Sequence, residues 1–141
     1  MAVVLELREI EPDDLPRLQE LIEGDPGYAE RVTGHPPGPS DALSLTLIRP
    51  EGLPEEAKVV LGAWDSGFAR LAAVVDLVRG YPSEGRVFVG LLQVRVELQR
   101  QGVGREVWRL AEEWVRSRWP EATTARLAVV DTTAAAAEPF W

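Results

Sequence analysis

The 141-residue chain has no cysteine, one histidine and one methionine. Without cysteine there is no disulfide, no thiolate nucleophile and no thiolate-held metal. With His35 alone, a multi-histidine metal centre is excluded, and no metal site is expected. No run approaches the roughly 20 apolar residues that a membrane-spanning helix needs. Cations are also few: 15 Lys and Arg stand against 23 Asp and Glu, a formal net charge of −8. This balance argues against nucleic acid or an anionic membrane as the principal partner, because both recruit positive surface. It is compatible with a cationic acceptor such as an amine. Val4, Glu6 and Arg8 alternate with Leu5 and Leu7, which reads as a strand rather than a secretion signal, so a cytoplasmic setting is expected.

What the chain does have is apolar residues, 45% of the total, enough for the core of a single domain over residues 1–141. The stretch that organises it is Gln99-Arg100-Gln101-Gly102-Val103-Gly104-Arg105. Before it, Val87 to Val94 reads as a buried strand; after it, Val107, Leu110, Ala111, Trp114 and Val115 recur at helical spacing. A glycine turn from strand into helix is an anion cradle, since the first helical N–H groups lack intrahelical acceptors and the dipole favours negative charge there. Two glycines let a phosphate approach the backbone, and Arg100 and Arg105 add charge-assisted donors. The same residues also suit a tight turn whose glycines serve geometry alone.

In chain order, Val3 to Arg8 is the first expected strand. Glu11-Pro12-Asp13-Asp14 opens a helix faced by Leu15, Leu18, Leu21 and Ile22, which Gly24 to Gly27 ends. Residues 25–39 are dense in proline and glycine, which excludes regular structure and favours a functional loop. Ser40-Asp41 can cap a short helix through Ile48, although Leu43, Leu45 and Leu47 alternate as in a strand. Lys58 to Trp64 and Phe68 to Val78 form a hairpin around Asp65-Ser66-Gly67, and Arg86 to Val96 follows as a third antiparallel strand. The helix from Gly104 to about Arg118 stops at Pro120, and Trp108, Trp114 and Trp119 serve it as core or interface anchors. Ala125 to Asp131 is a fifth strand, parallel to the fourth across a βαβ unit.

Spacing narrows the anion. A dinucleotide fingerprint needs a third glycine where Val107 stands, and a Walker loop needs Lys followed by Ser or Thr. The pattern present is Q/R-x-x-G-x-G/A, and on these residues the chain resembles the GNAT superfamily of acyltransferases. The resemblance implies a mixed α+β (α/β) fold, a mostly antiparallel twisted sheet of about five to six strands flanked by helices. It also implies acetyl-CoA as cosubstrate, held at its pyrophosphate by Gln99, Arg100, Gln101, Gly102, Val103, Gly104 and Arg105. The pantetheine arm would pair with strand four at Leu92, Gln93 and Val94, in a gap where strands four and five diverge. The Val94 amide would polarise the thioester carbonyl.

Direct attack by a primary amine, from a small molecule or a peptide, then needs a base. At pH 7 an amine of pKa about 10.4 is almost wholly protonated. Asp76, Glu97, Asp131 and His35 are the titratable residues near the expected cleft. Asp76 stands out because it interrupts the apolar run Leu71 to Val78, where it sits at the site, on a solvated face or at a bulge. The family's Asn, Ala and Tyr pattern falls on Ala134, Ala137 and Trp141, and an indole cannot deliver a proton near neutral pH. The resemblance assigns the acceptor pocket to the 25–39 region. With the sequence ending at Trp141, a closing strand is expected to be missing and strand five to form an edge, which a homodimer could cover. Two readings follow: an N-acetyltransferase, or a non-catalytic acyl-CoA-binding module of the same fold.

Overall fold

The computed structural model describes residues 4–127 apart from 26, 28, 29, 31–33, 35, 66–69 and 82. Five strands form one sheet in sequence order: β1 (Leu5–Glu9), β2 (Lys58–Asp65), β3 (Arg70–Arg79), β4 (Arg86–Val94) and β5 (Thr124–Leu127). The first four are antiparallel neighbours, and β5 runs parallel to β4, pairing Arg86–Val89 with Thr124–Leu127. Helices α1 (Leu15–Glu23), α2 (Asp41–Leu47) and α3 (Val103–Arg118) accompany them. The mixed fold is thus the expected one, with five strands described.

The two faces of the sheet carry separate cores. On one, Val103, Val107 and Ala111 of α3 pack with Trp119 against Val59, Leu61, Ala63, Val75, Leu77, Val87 and Val89. These α3 residues are spaced at four, so they form one stripe, and burial of a side chain such as Val107 stabilises by roughly 1.5–3 kcal/mol. The Trp114 and Trp119 rings meet edge to face at 5.1 Å, and Trp119 is buried. These tryptophans therefore pack, as expected. On the other face, Leu18, Leu21 and Ile22 of α1 and Ala42 of α2 cover Val60, Trp64, Leu71 and Val74.

Several boundaries differ from expectation for local reasons. β4 ends at Val94 because Val96–Leu98 winds into a 3-10 turn. α3 opens one residue early, at Val103, since Gly102 takes the left-handed conformation (φ 81°) as its N-cap. α2 forms despite its alternating leucines. Ser40 makes no side-chain cap there; the Asp41 carboxylate instead accepts from the Gly38 N–H at 2.8 Å. The 25–39 stretch is not devoid of regular structure either, for Gly27 and Glu30 are helical and the Gly34 N–H donates to the Glu30 carbonyl at 2.9 Å. The expected turn residues Ser66 and Gly67 lie outside the described residues, as does Phe68, the expected start of the next strand. So do 128–131 of strand five and the C-terminal edge beyond it.

Candidate functional site

The loop between β4 and α3 is shaped by backbone. Arg100 (φ 64°) and Gly102 (φ 81°) are both left-handed, which folds the chain back to start α3. Gly102 has open space where a Cβ would stand, and its conformation, not crowding, is what calls for glycine. No side chain caps this helix, and the first N–H to return to the helix is that of Glu106, which donates to the Gly102 carbonyl at 3.2 Å. The amides of Val103, Gly104 and Arg105 therefore precede the first intrahelical bond and point out of the helix end, where the dipole is positive. Val103 itself is buried in the α3 core, so its contribution to a ligand is confined to its N–H. Arg100 and Arg105 are exposed beside these amides. Donors of this kind suit a pyrophosphate.

Strand four supplies a second set of backbone groups. The Arg95 N–H donates to the Ala72 carbonyl at 2.7 Å, and Val94 lies opposite Ala73. Since successive residues of an antiparallel strand direct their polar groups to opposite edges, Gln93 faces β3 while Leu92 and Val94 face away from it. Among the described residues β5 pairs only as far as Val89. Leu92 and Val94 are thus placed to pair with an extended arm. Gln93, expected to share that role, is not, because its backbone groups are directed to β3 and its side chain is buried.

Gln99 also differs from expectation. Its side chain does not reach toward the helix N-terminus. It donates to the Val94 carbonyl at 3.0 Å and to Asp25 Oδ2 at 2.8 Å. The Gln101 carboxamide likewise turns back to the Glu97 carbonyl at 3.0 Å. Of the loop residues expected to bind the cofactor, Val103, Gly104 and Arg105 offer the helix-end amides, Gly102 makes the turn as N-cap, Arg100 and Arg105 offer charge, and the two glutamines brace the turn.

Asp76 lies away from the loop. It is buried on the face covered by α1 and α2, at a bulge: Asp76 pairs with Leu91 and Leu77 with Val89, so Gly90 is the extra residue of β4. Its Oδ1 is 2.7 Å from the Lys58 ammonium, both side chains being nearly buried. Its Oδ2 stands only 2.8 Å from where a Gly90 Cβ would be, so glycine at the bulge makes room for the carboxylate. Burial pushes the Asp76 carboxyl above its ordinary range, and Lys58 opposes that rise. Sequence reading found Asp76 and overlooked Lys58. The β2–β3 register sets Lys58 opposite Val78 and Val60 opposite Asp76, which makes Lys58 and Asp76 a diagonal cross-strand pair that only the register reveals.

Other sequence candidates are not gathered here. Glu97 is exposed in the 3-10 turn, 3.8 Å from Arg95. His35, Asp131, Ala134, Ala137 and Trp141 lie outside the described residues. A concavity of about 160 Å³ lined by Arg79, Glu84, Arg86 and Glu121 lies at the opposite end of β4 and has none of the loop's donors. Among the described residues no cluster of His, Cys, Asp and Glu could hold a metal, and no helix is long and apolar enough to cross a membrane.

An uncapped helix end follows β4, and among the described residues β5 leaves Leu92 and Val94 without a strand partner on the side away from β3, all within an α+β domain. The chain belongs to the acetyltransferase (GNAT) family, whose model matches residues 17–141. The fold recurs in the ribosomal-protein-S18-alanine N-acetyltransferase of Escherichia coli, with a TM-score of 0.63 at 19% identity over 94% of this chain and 72% of that one. It recurs in an aminoglycoside acetyltransferase from an uncultured soil metagenomic sample, with a TM-score of 0.64 at 16% identity, covering 96% and 84% of the two chains. An acetyltransferase from Thermus thermophilus gives a TM-score of 0.63 at 23% identity over 79% and 71%. No curated protein matches the sequence. Family and fold together support acyl transfer as the general chemistry, with acetyl-CoA the acyl donor the family generally uses.

Proposed function

We propose that this protein is an N-acetyltransferase that moves an acetyl group from acetyl-CoA to a primary amine, on a small molecule or a peptide, by direct attack. The observation that carries the reading is the α3 N-terminus: amides of Val103, Gly104 and Arg105 without a side-chain cap, flanked by Arg100 and Arg105. Acetyl-CoA supplies the activated thioester carbonyl. The helix-end amides and the two arginines hold its pyrophosphate. Leu92 and Val94 align the pantetheine arm along the side of β4 away from β3, and the Val94 N–H donates to the carbonyl oxygen as negative charge develops there.

The C–N bond forms as the C–S bond breaks, so the amine loses a proton and the departing thiolate gains one. Asp76 is the residue we assign to accept the amine proton. Leu91, opposite it, precedes Val94 by three residues, about 10 Å of strand, so the proton must travel through water past the exposed Gly90. Solvent protonates the thiolate in this scheme. The test is CoA release from acetyl-CoA, measured as free thiol, against polyamines, aminoglycosides and peptide N-termini. Acceptor-dependent release lost in Asp76→Asn supports the assignment. Binding of acetyl-CoA without release by any amine would make the protein a non-catalytic acyl-CoA-binding module.

A further inference from the structure

Gln99 joins parts of the chain that sequence keeps far apart. Its carboxamide has two N–H donors, and one goes to the Val94 carbonyl at 3.0 Å while the other goes to Asp25 Oδ2 at 2.8 Å. Val94 carries the amide that faces away from β3. Asp25 begins the segment that follows α1. Gln99 itself opens the turn whose amides end at Arg105. The region around this bridge is braced as well. Arg95 donates through Nε to the Leu71 carbonyl at 2.8 Å and through a terminal nitrogen to Glu20 of α1 at 3.2 Å. Gln19 of α1 donates to the Gly38 carbonyl at 2.8 Å and accepts from the Ala42 N–H at 2.9 Å. Asp25 is thus tied through Gln99 to the end of β4, and Gly38 to α1 through Gln19.

We infer that Gln99 is a positioning residue that couples occupation of the α3 N-terminus to the placement of Asp25, the start of the segment leading from α1 to α2. The inference rests on the pyrophosphate reading above and adds to it. Ordering the Val103–Arg105 amides around an anion orders the turn that Gln99 begins. With both its N–H groups committed, Gln99 cannot shift without breaking its hydrogen bond to the Asp25 carboxylate or to the Val94 carbonyl. A coupling of this kind typically has a magnitude of 1–3 kcal/mol, about 5- to 150-fold in an equilibrium constant.

Hydrogen exchange of the full chain, with and without acetyl-CoA, tests the coupling. In the wild type, acetyl-CoA should slow exchange in the loop and also at Leu21 to Asp25, by about fivefold or more. Gln99→Leu removes both donors and should bind acetyl-CoA within about threefold of wild type, since the helix-end amides remain, but lose the protection at Leu21 to Asp25. Asp25→Ala, which leaves the loop and Val94 untouched, should lose it too. Gln99→Arg, which keeps donors at this position, should retain it. Protection at Leu21 to Asp25 that persists in Gln99→Leu and Asp25→Ala would overturn the inference while leaving the pyrophosphate site standing. So would wild-type protection confined to Val94–Glu106. No binding of acetyl-CoA by the wild type would overturn the site and the coupling together.

Discussion

Two regions of this domain are built for charge in opposite ways. The β4–α3 turn offers a negative ligand backbone amides that no side chain has claimed, at an exposed helix end. The middle of the sheet holds Asp76 and Lys58 against each other at 2.7 Å, nearly removed from water. In the first, the charge to be balanced comes from outside. In the second, it is already balanced, and burial sets how readily the carboxyl keeps its proton. The contrast predicts that the turn, whose donors are backbone, tolerates loss of a side chain, whereas the pair cannot lose one partner without consequence.

The widest test of this contrast is at Asp76. Asp76→Asn should lower kcat by about 10²- to 10⁴-fold with little change in acetyl-CoA affinity, read by steady-state kinetics beside calorimetry. If kcat holds, the pair is structural only. Lys58→Met leaves a buried carboxylate without its counter-ion and should cost roughly 3–5 kcal/mol in denaturant unfolding, while replacing both members by apolar residues should cost much less. Equal costs for the single and double variants would remove the idea of a compensated pair.

The pH dependence has a definite sign. The Asp76 carboxyl titrates above its ordinary range in the folded protein. Activity that needs it ionised must therefore rise with pH along a limb displaced above the usual carboxylate range. Removing Lys58 takes away the influence that lowers it, so in Lys58→Met that limb should move to still higher pH. The same shift makes the group's contribution to stability greatest in acid, and that contribution is lost as pH climbs from the unfolded value through the folded one. A limb that stays put in Lys58→Met would assign the titration to another group.

At the turn the expected effects are on binding. Gly104→Glu sets a carboxylate among the helix-end amides and should weaken acetyl-CoA by about 100-fold, without loss of fold, because acidic residues are favourable in a first turn. The smallest effect belongs to Arg100, which is left-handed without being glycine. Arg100→Gly should raise stability by up to about 1 kcal/mol and weaken acetyl-CoA by only a few-fold, as one exposed charge is lost. A stability gain with unchanged affinity would take Arg100 out of the site.

How much of this was legible in the sequence follows the same division. A strand–turn–helix announces itself through glycine spacing, a preceding apolar run and a following amphipathic one, all local, and the turn at Gly102 leading into α3 was readable for that reason. The order of strands was readable too, because hairpins and a βαβ crossover leave few alternatives. Asp76 was visible as an acid inside an apolar strand, but the bulge at Gly90 and the partnership with Lys58 depend on register between strands. Gln99 is expected at the ligand because it opens the same motif as Gly102 and Gly104. Its partner Asp25 lies 74 residues away, and nothing local in the sequence joins them.

The central claim, that the α3 N-terminus is the acyl-CoA pyrophosphate site, is tested most directly by backbone amide NMR during titration with acetyl-CoA. The account predicts the largest shifts at Val103, Gly104 and Arg105, with Leu92 and Val94 following and Gln93 moving less. Shifts concentrated instead around Arg79, Arg86 and Glu121, at the other end of β4, would contradict it.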